Sequence, residues 1–188
     1  LQSFGDDPLA AILASHRGAI RRVIAMPSFK VRVAKDYTVF CAGHFITYEG
    51  DQCEPLHGHN YRAAASIEGD LTEHAYVYNF VNLKKLLRGV CDQLDHRMLL
   101  PQNNPRLTVS RDGSNIVVCY REKMYSFPRE DVLLLPISNT TAELLAGWIG
   151  EQIADALREQ AAPGLKAIEI EVEENFGQSA FCRRELNR

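Results

Sequence analysis

Cys53, His57 and His59 stand together in CEPLHGHNYR, with only Gly58 between the two histidines. Along an extended chain alternate side chains point to the same side, so His57 and His59 can reach one ion together. Two imidazoles hold zinc loosely, and a catalytic centre needs a third protein ligand while keeping a fourth position for substrate. His44, which closes the preceding extended run in FCAGHF, is the candidate third ligand. Three neutral imidazoles suit zinc better than calcium or magnesium, which favour oxygen donors. Cys53 is either a fourth ligand that closes a structural site or a free catalytic thiol, and spacing leaves both open. A histidine pair at this spacing also arises by chance in ordinary strands.

Two further carboxylates draw notice. Asp95 and His96 are adjacent in LDHRML, where a carboxylate can orient and charge-stabilise an imidazole; a purely structural pair is the alternative. Glu174 follows Ile168, Ile170 and Val172 at alternate positions in AIEIEVEEN. That pattern aims a carboxylate along an inward face, where it needs a partner, such as an arginine or the N–H groups of a heterocycle. Otherwise the strand ends at Val172 and Glu174 is solvated.

These residues must be held by strands and helices that the hydrophobic pattern outlines. FKVRVAKDYTVFCAGHF reads as one long or bulged strand, and GHNYRAAASIEG as a second with His59, Tyr61, Ala63, Ala65 and Ile67 on one face. GDLTEHAYVYNF reads as a turn and a short third strand, antiparallel to its neighbours. Leu83, Leu86, Leu87, Val90 and Leu94 form the stripe of an amphipathic helix. Leu145, Ile149, Ile153 and Leu157 mark a second helix from about Thr141 to Gln160, with NTTAE supplying oxygens that can cap free amides. Between the helices, RDGSN signals the turn of an inserted hairpin over about 106–136. AIEIEVEEN is the last strand. Residues 1–28 read as an N-terminal extension, with a short helix around Leu9 to Arg22 that ends before Pro27.

The composition fits this outline. The 188 residues are 46% hydrophobic and 24% charged, enough for one domain with a full core, and the net charge of −3 gives no footprint for nucleic acid. Five cysteines without framework spacing favour a reduced compartment. No apolar run reaches membrane-span length, and the first residues are unlike a signal peptide. The expectation is a cytoplasmic protein with no membrane or nucleic-acid partner.

Taken in order, the motifs resemble the 6-pyruvoyltetrahydropterin synthase and 6-carboxytetrahydropterin synthase family. FCAGH is similar to its first histidine motif and CEPLHGHNY to its Cys-spacer-HGH motif. YVYNFVNLKKLL, LDHRML, NTTAELLAGWI and EVEEN are similar to its helix start, Asp-His pair, helix entry and terminal glutamate strand. The likeness runs from about Phe29 to Asn175.

The resemblance implies an α+β tunnelling fold, an antiparallel four-stranded sheet with two helices on one face, in a domain covering 29–188. It implies a homohexamer built as a dimer of trimers, with active sites between subunits. It assigns zinc to His44, His57 and His59, catalysis to Cys53 with Asp95 and His96, and pterin binding to Glu174 with Thr141, Ala142 and Glu143. The implied substrate is 7,8-dihydroneopterin triphosphate. The three residues between Cys53 and His57 are similar to the carboxytetrahydropterin branch of queuosine biosynthesis, which releases acetaldehyde with triphosphate. The alternatives are a pyruvoyltetrahydropterin synthase, which keeps the side chain, and a zinc- and pterin-binding protein without catalysis. Compact family members lack counterparts of the extension and of the 106–136 segment, which reads as a tolerated surface insertion. Cys41 stands where they commonly carry serine.

Overall fold

The computed structural model describes residues 28–186, so the helix expected around Leu9 to Arg22 lies outside the described residues. The framework begins with β1 (Phe29–His44), an antiparallel partner of β4 (His57–Gly69). Their register shifts between Ala34 and Val39, where Thr38, fully buried, donates from Oγ1 to the carbonyl oxygens of Lys35 and Ala63 at 2.8 Å each. This irregularity sets the final register, in which His44 lies opposite His57 and Ala42 opposite His59. Between them a small hairpin of β2 (Thr47–Tyr48) and β3 (Gln52–Cys53) closes on the tight turn at Glu49 and Gly50.

The other edge of β4 is taken by β10 (Leu165–Asn175), which in turn pairs with β11 (Gln178–Glu185). This corrects two expectations. GDLTEHAYVYNF forms no strand, because β10 already occupies the edge it would need; Val77 and Tyr78 are buried as irregular chain instead. A further strand follows AIEIEVEEN, and its alternation of exposed with half-buried residues lacks the apolar face that would announce it.

The sheet is mixed rather than wholly antiparallel, in the order β11-β10-β4-β1-β5-β9. The first four strands are antiparallel; β5 (Arg97–Pro101) and β9 (Val132–Leu135) extend the β1 edge in parallel. Their short apolar runs, MLLP and VLLL, carry no alternation because β5 is covered on both sides. Leu99 belongs to the main core, while Met98 and Leu100 belong to a second one.

Helix α1 (Phe80–Leu94) starts at Asn79, whose side chain accepts from the amides of Val81 and Asn82. Helix α2 (Ala142–Glu159) starts at Thr141, which accepts from Leu144. Leu83, Leu87, Val90 and Leu94 of α1 and Leu145, Ile149, Ile153 and Leu157 of α2 enter a single core with Ala63, Ala65, Ile67, Ile168, Ile170 and Val172 of the sheet. Both helices therefore cover one face. The opposite face carries Lys30, Arg32, Glu68, Glu169, Glu171 and Arg183, cross-linked as ion pairs. Among the described residues no helix is long and apolar enough to cross a membrane.

The insertion is larger than the expected hairpin. It is a three-stranded antiparallel sheet of β6 (Thr108–Asp112), β7 (Asn115–Tyr120) and β8 (Lys123–Pro128), followed by the return into β9. A second turn, with Arg121 at φ 52°, gives YREKM a role that the RDGSN signal alone does not reveal. Ile116 and Val118 bury against Phe45, Met98 and Leu100.

Candidate metal centre and cleft

The antiparallel register makes the centre. Opposed residues share a face, so His44 and His57 project together, and His59 follows two residues along β4. One potential ligand atom from each of His44, His57 and His59 lies within 4.8 Å of the others. They extend the core face beyond the cover of the helices. His44 is almost fully buried, His59 is half-buried and His57 is exposed.

Backbone carbonyls orient two of the rings. His44 Nδ1 donates to the Thr140 carbonyl and His57 Nδ1 to the Pro55 carbonyl, each at 2.9 Å. A carbonyl only accepts, so each bond puts the proton on Nδ1 and leaves the Nε2 lone pair for a metal. Burial also pushes the His44 pKa down, against the opposing pull of the Thr140 bond and of Glu174, which favours the neutral ligand form. The donor set thus fits a zinc ion with an open position.

Glu174 reaches the same centre from β10. Its Oε1 lies 3.6 Å from His44 Nε2 and 3.8 Å from His59 Nε2, and accepts from the Tyr61 hydroxyl at 3.3 Å. Tyr61, fully buried, also meets His44 Nε2 at 3.0 Å. Burial first, and then the Glu174 charge, push the Tyr61 hydroxyl well above the usual phenol range, so it remains a donor.

An open cleft of about 370 Å³ adjoins the centre, lined by His44, Glu54, His57 and Glu174, by Thr141, Ala142 and Glu143 at the start of α2, and by Gln178, Ser179 and Ala180 of β11. The metal trio, Glu174 and the Thr141–Glu143 segment anticipated from sequence are therefore brought together. Glu54 and the β11 residues were missed: Glu54 stands next to the conspicuous thiol, and β11 had no strand signal.

Cys53 and the Asp95–His96 pair are arranged differently. Cys53 is half-buried against the second core, with Sγ 3.5 Å from the Glu54 carbonyl, and is not among the cleft-lining residues. Burial pushes its thiol pKa up, while the Lys123 cation pulls it down. Asp95 caps α1; its Oδ1 accepts from the Cys41 amide at 2.7 Å and its Oδ2 lies 3.0 Å from His96 Nδ1. Cys41 is exposed, and the His96 amide donates to its carbonyl at 2.7 Å. The His96 side chain is 83% exposed, with φ 55° turning it outward, and neither member of the pair lines the cleft within this chain.

The Cys41 amide, then His96, hold the Asp95 carboxyl below its ordinary pKa despite some burial. A lowered folded pKa contributes stability above the unfolded value, lost as the pH falls through the folded one. Asp95→Asn should therefore cost stability above about pH 4, and the gap to the parent should close in stronger acid. Urea unfolding at neutral pH and in acid checks this; a gap that persists unchanged in acid would refute it.

Comparison with known proteins agrees with this geometry. The family model for 6-pyruvoyl tetrahydropterin synthase matches residues 33–185. A Methanocaldococcus jannaschii protein, provisionally named 6-carboxy-5,6,7,8-tetrahydropterin synthase, is 34% identical over 148 residues, 78% of this chain and 90% of that protein. A Pyrococcus furiosus dihydroneopterin monophosphate aldolase is 40% identical over 60 residues, 32% of this chain and 50% of that protein. Among solved structures, Plasmodium vivax 6-pyruvoyltetrahydropterin synthase, in a variant described as a glutamate-to-alanine change at a catalytic residue, superposes with a TM-score of 0.80 at 28% identity, covering 85% of this chain and 99% of that one. The chain belongs to the 6-pyruvoyl tetrahydropterin synthase family of enzymes.

Proposed function

We propose that the chain is a zinc-dependent lyase of the queuosine type, converting 7,8-dihydroneopterin triphosphate and one water to 6-carboxy-5,6,7,8-tetrahydropterin, acetaldehyde and triphosphate. The observation that carries this reading is a cluster of three imidazoles with a shared carboxylate, of which His44, His57 and Glu174 line one open cleft with the start of α2. The M. jannaschii relative's name supports the carboxy product. His44, His57 and His59 would hold the zinc, which when bound supplies Lewis acidity toward the side-chain hydroxyls of the substrate. Glu174 accepts from the amino and ring N–H groups of the pterin, as a charged carboxylate does most strongly. Tyr61 steadies that carboxylate through its hydroxyl. The Thr141–Glu143 segment flanks the ring at the helix entry.

Proton transfer falls to Cys53 in this reading, with Asp95 and His96 contributed by a neighbouring copy of the chain in a homohexamer with sites between subunits. A second reading is favoured by a specific observation: Glu54 lines the cleft and Cys53 does not. Glu54 then moves the proton, as the catalytic glutamate in the description of the Plasmodium structure suggests by analogy, and the product is of the pyruvoyl or aldolase type.

One experiment separates them. Zinc-loaded parent, Cys53→Ala and Glu54→Gln proteins are incubated with dihydroneopterin triphosphate, and the products are resolved by mass. The lyase reading expects carboxytetrahydropterin plus acetaldehyde from the parent, and loss of at least about a hundredfold in rate with Cys53→Ala, the scale of general-base removal. Pyruvoyltetrahydropterin or an aldol-cleavage product, with the loss falling on Glu54→Gln instead, would establish the second. Pterin binding without turnover by the parent would remove both.

A further inference from the structure

The inserted sheet touches the metal-proximal chain at a few defined places. Tyr120, at the end of β7 and nearly buried, donates its hydroxyl to the Asp51 carbonyl. Arg121 follows it, pairs with the Asp51 carboxylate and lies over the Tyr120 ring with its guanidinium carbon 5.6 Å from the centroid. Lys123, opening β8, donates to the Cys53 carbonyl at 3.3 Å. The Cys53 side chain packs into the core that Ile116, Val118, Tyr125 and Phe127 supply, and the Tyr125 ring sits 5.3 Å from that of Phe45, the residue after His44.

All of these contacts converge on residues 45–54. That segment is otherwise secured by the two residue pairs of the β2–β3 hairpin, by the Thr140 hydroxyl donating to the Phe45 carbonyl at 3.1 Å, by the Glu54 amide donating to the Ile46 carbonyl at 3.0 Å, by the Glu54 carboxylate accepting from the Ile46 amide at 3.3 Å, and by Asn104 and Asn139 at Thr47. Its tip, Glu49 to Asp51, has left-handed residues at Glu49 and Gly50 and packs no apolar side chain of its own into a core. A loop so sparsely anchored opens at low cost unless something else holds it. Exposed ion pairs such as Arg121–Asp51 contribute little, so the holding falls on the partly buried Tyr120 hydroxyl, the Lys123 bond and the apolar contact of Cys53.

We propose that the inserted sheet is a positioning device for the reactive loop, in which Tyr120 and Lys123 hold residues 51–54 and thereby set where Cys53 and Glu54 stand relative to the cleft. The inference rests on the catalytic reading given above for those two residues. Tyr120 and Lys123 are positioning residues, since neither lines the cleft. The insertion is then a working part of the site rather than a tolerated surface addition.

The test uses the zinc-loaded protein with Tyr120→Phe and Lys123→Met combined, which removes both hydrogen-bond donors to the loop and keeps the buried ring at 120. Amide hydrogen exchange in peptides spanning 49–54 should quicken several-fold, while β7 peptides keep parental protection, reporting that the insertion remains folded. The turnover number should fall by about ten- to a hundredfold, the scale of a small misplacement of catalytic groups, with pterin affinity and zinc content unchanged. Parental exchange in 49–54 would overturn the proposal, and so would quickened exchange with an unchanged turnover number. If the parent itself turns over no pterin triphosphate, the proposed function fails separately, and the exchange result still decides whether the insertion holds the loop.

Discussion

His59→Ala is expected to lower zinc affinity by at least about a hundredfold, the upper end of what loss of an outer partner alone does, and to abolish turnover with the fold intact. His59 is the informative member of the trio. It sits within β4, paired with Ala42 of β1, so its backbone is held without its ring. Its half-buried side chain touches the other imidazoles, Glu174 and, at the margin of the main core, the Tyr61 ring, so truncation opens no deep cavity. His44 is a poorer choice, because its nearly buried ring also satisfies the Thr140 carbonyl. Competition with a chromophoric chelator gives the affinity, and circular dichroism reports the fold. The core of α1, α2 and the sheet is apolar and independent of the centre, so chelating the parent should likewise leave it folded. Collapse on chelation would instead mark a structural zinc site closed by Cys53.

Glu174→Gln carries the second large effect. A carboxylate presents acceptors only, matching the N–H groups along the amino edge of a pterin; the amide turns one of those acceptors into a donor. Loss of one charge-assisted bond costs about 3 kcal/mol, roughly a hundredfold in affinity. The change preserves shape, and the side chain is already 30% exposed, so thermal stability should move little. The amide oxygen can still accept from Tyr61, which keeps the hydroxyl partnered. Quenching of pterin fluorescence on titration measures the affinity. A parental value would mean that the ring is gripped elsewhere on the cleft and that Glu174 serves the metal alone.

Much of this was legible before the fold was known. Alternation from Ile168 to Glu174 aimed a carboxylate inward, and it meets Tyr61 and the imidazoles there. The HGH spacing put two rings on one side of β4, and the stripes from Leu83 to Leu94 and Leu145 to Leu157 are the buried faces of α1 and α2. What escaped has physical causes. β5 and β9 are short and apolar without alternation, since they lie between two cores, so nothing in MLLP or VLLL distinguishes strand from helix end. β11 is an edge strand whose charged side chains mask its period, and with it went Gln178 to Ala180 of the cleft. Cys53 attracts the eye as the reactive group of its motif, yet a one-residue step along the chain points its neighbour Glu54 into the cleft and the thiol toward the insertion.

Diffraction at the zinc absorption edge, from crystals of the zinc-loaded protein grown with a reduced pterin, tests the account most directly. The result expected is a single anomalous peak bonded to His44, His57 and His59, with the fourth position facing the pterin side chain and the amino edge of the ring on Glu174. A peak whose fourth position is closed by Cys53 or Glu174, or a pterin seated away from Glu174, would contradict it.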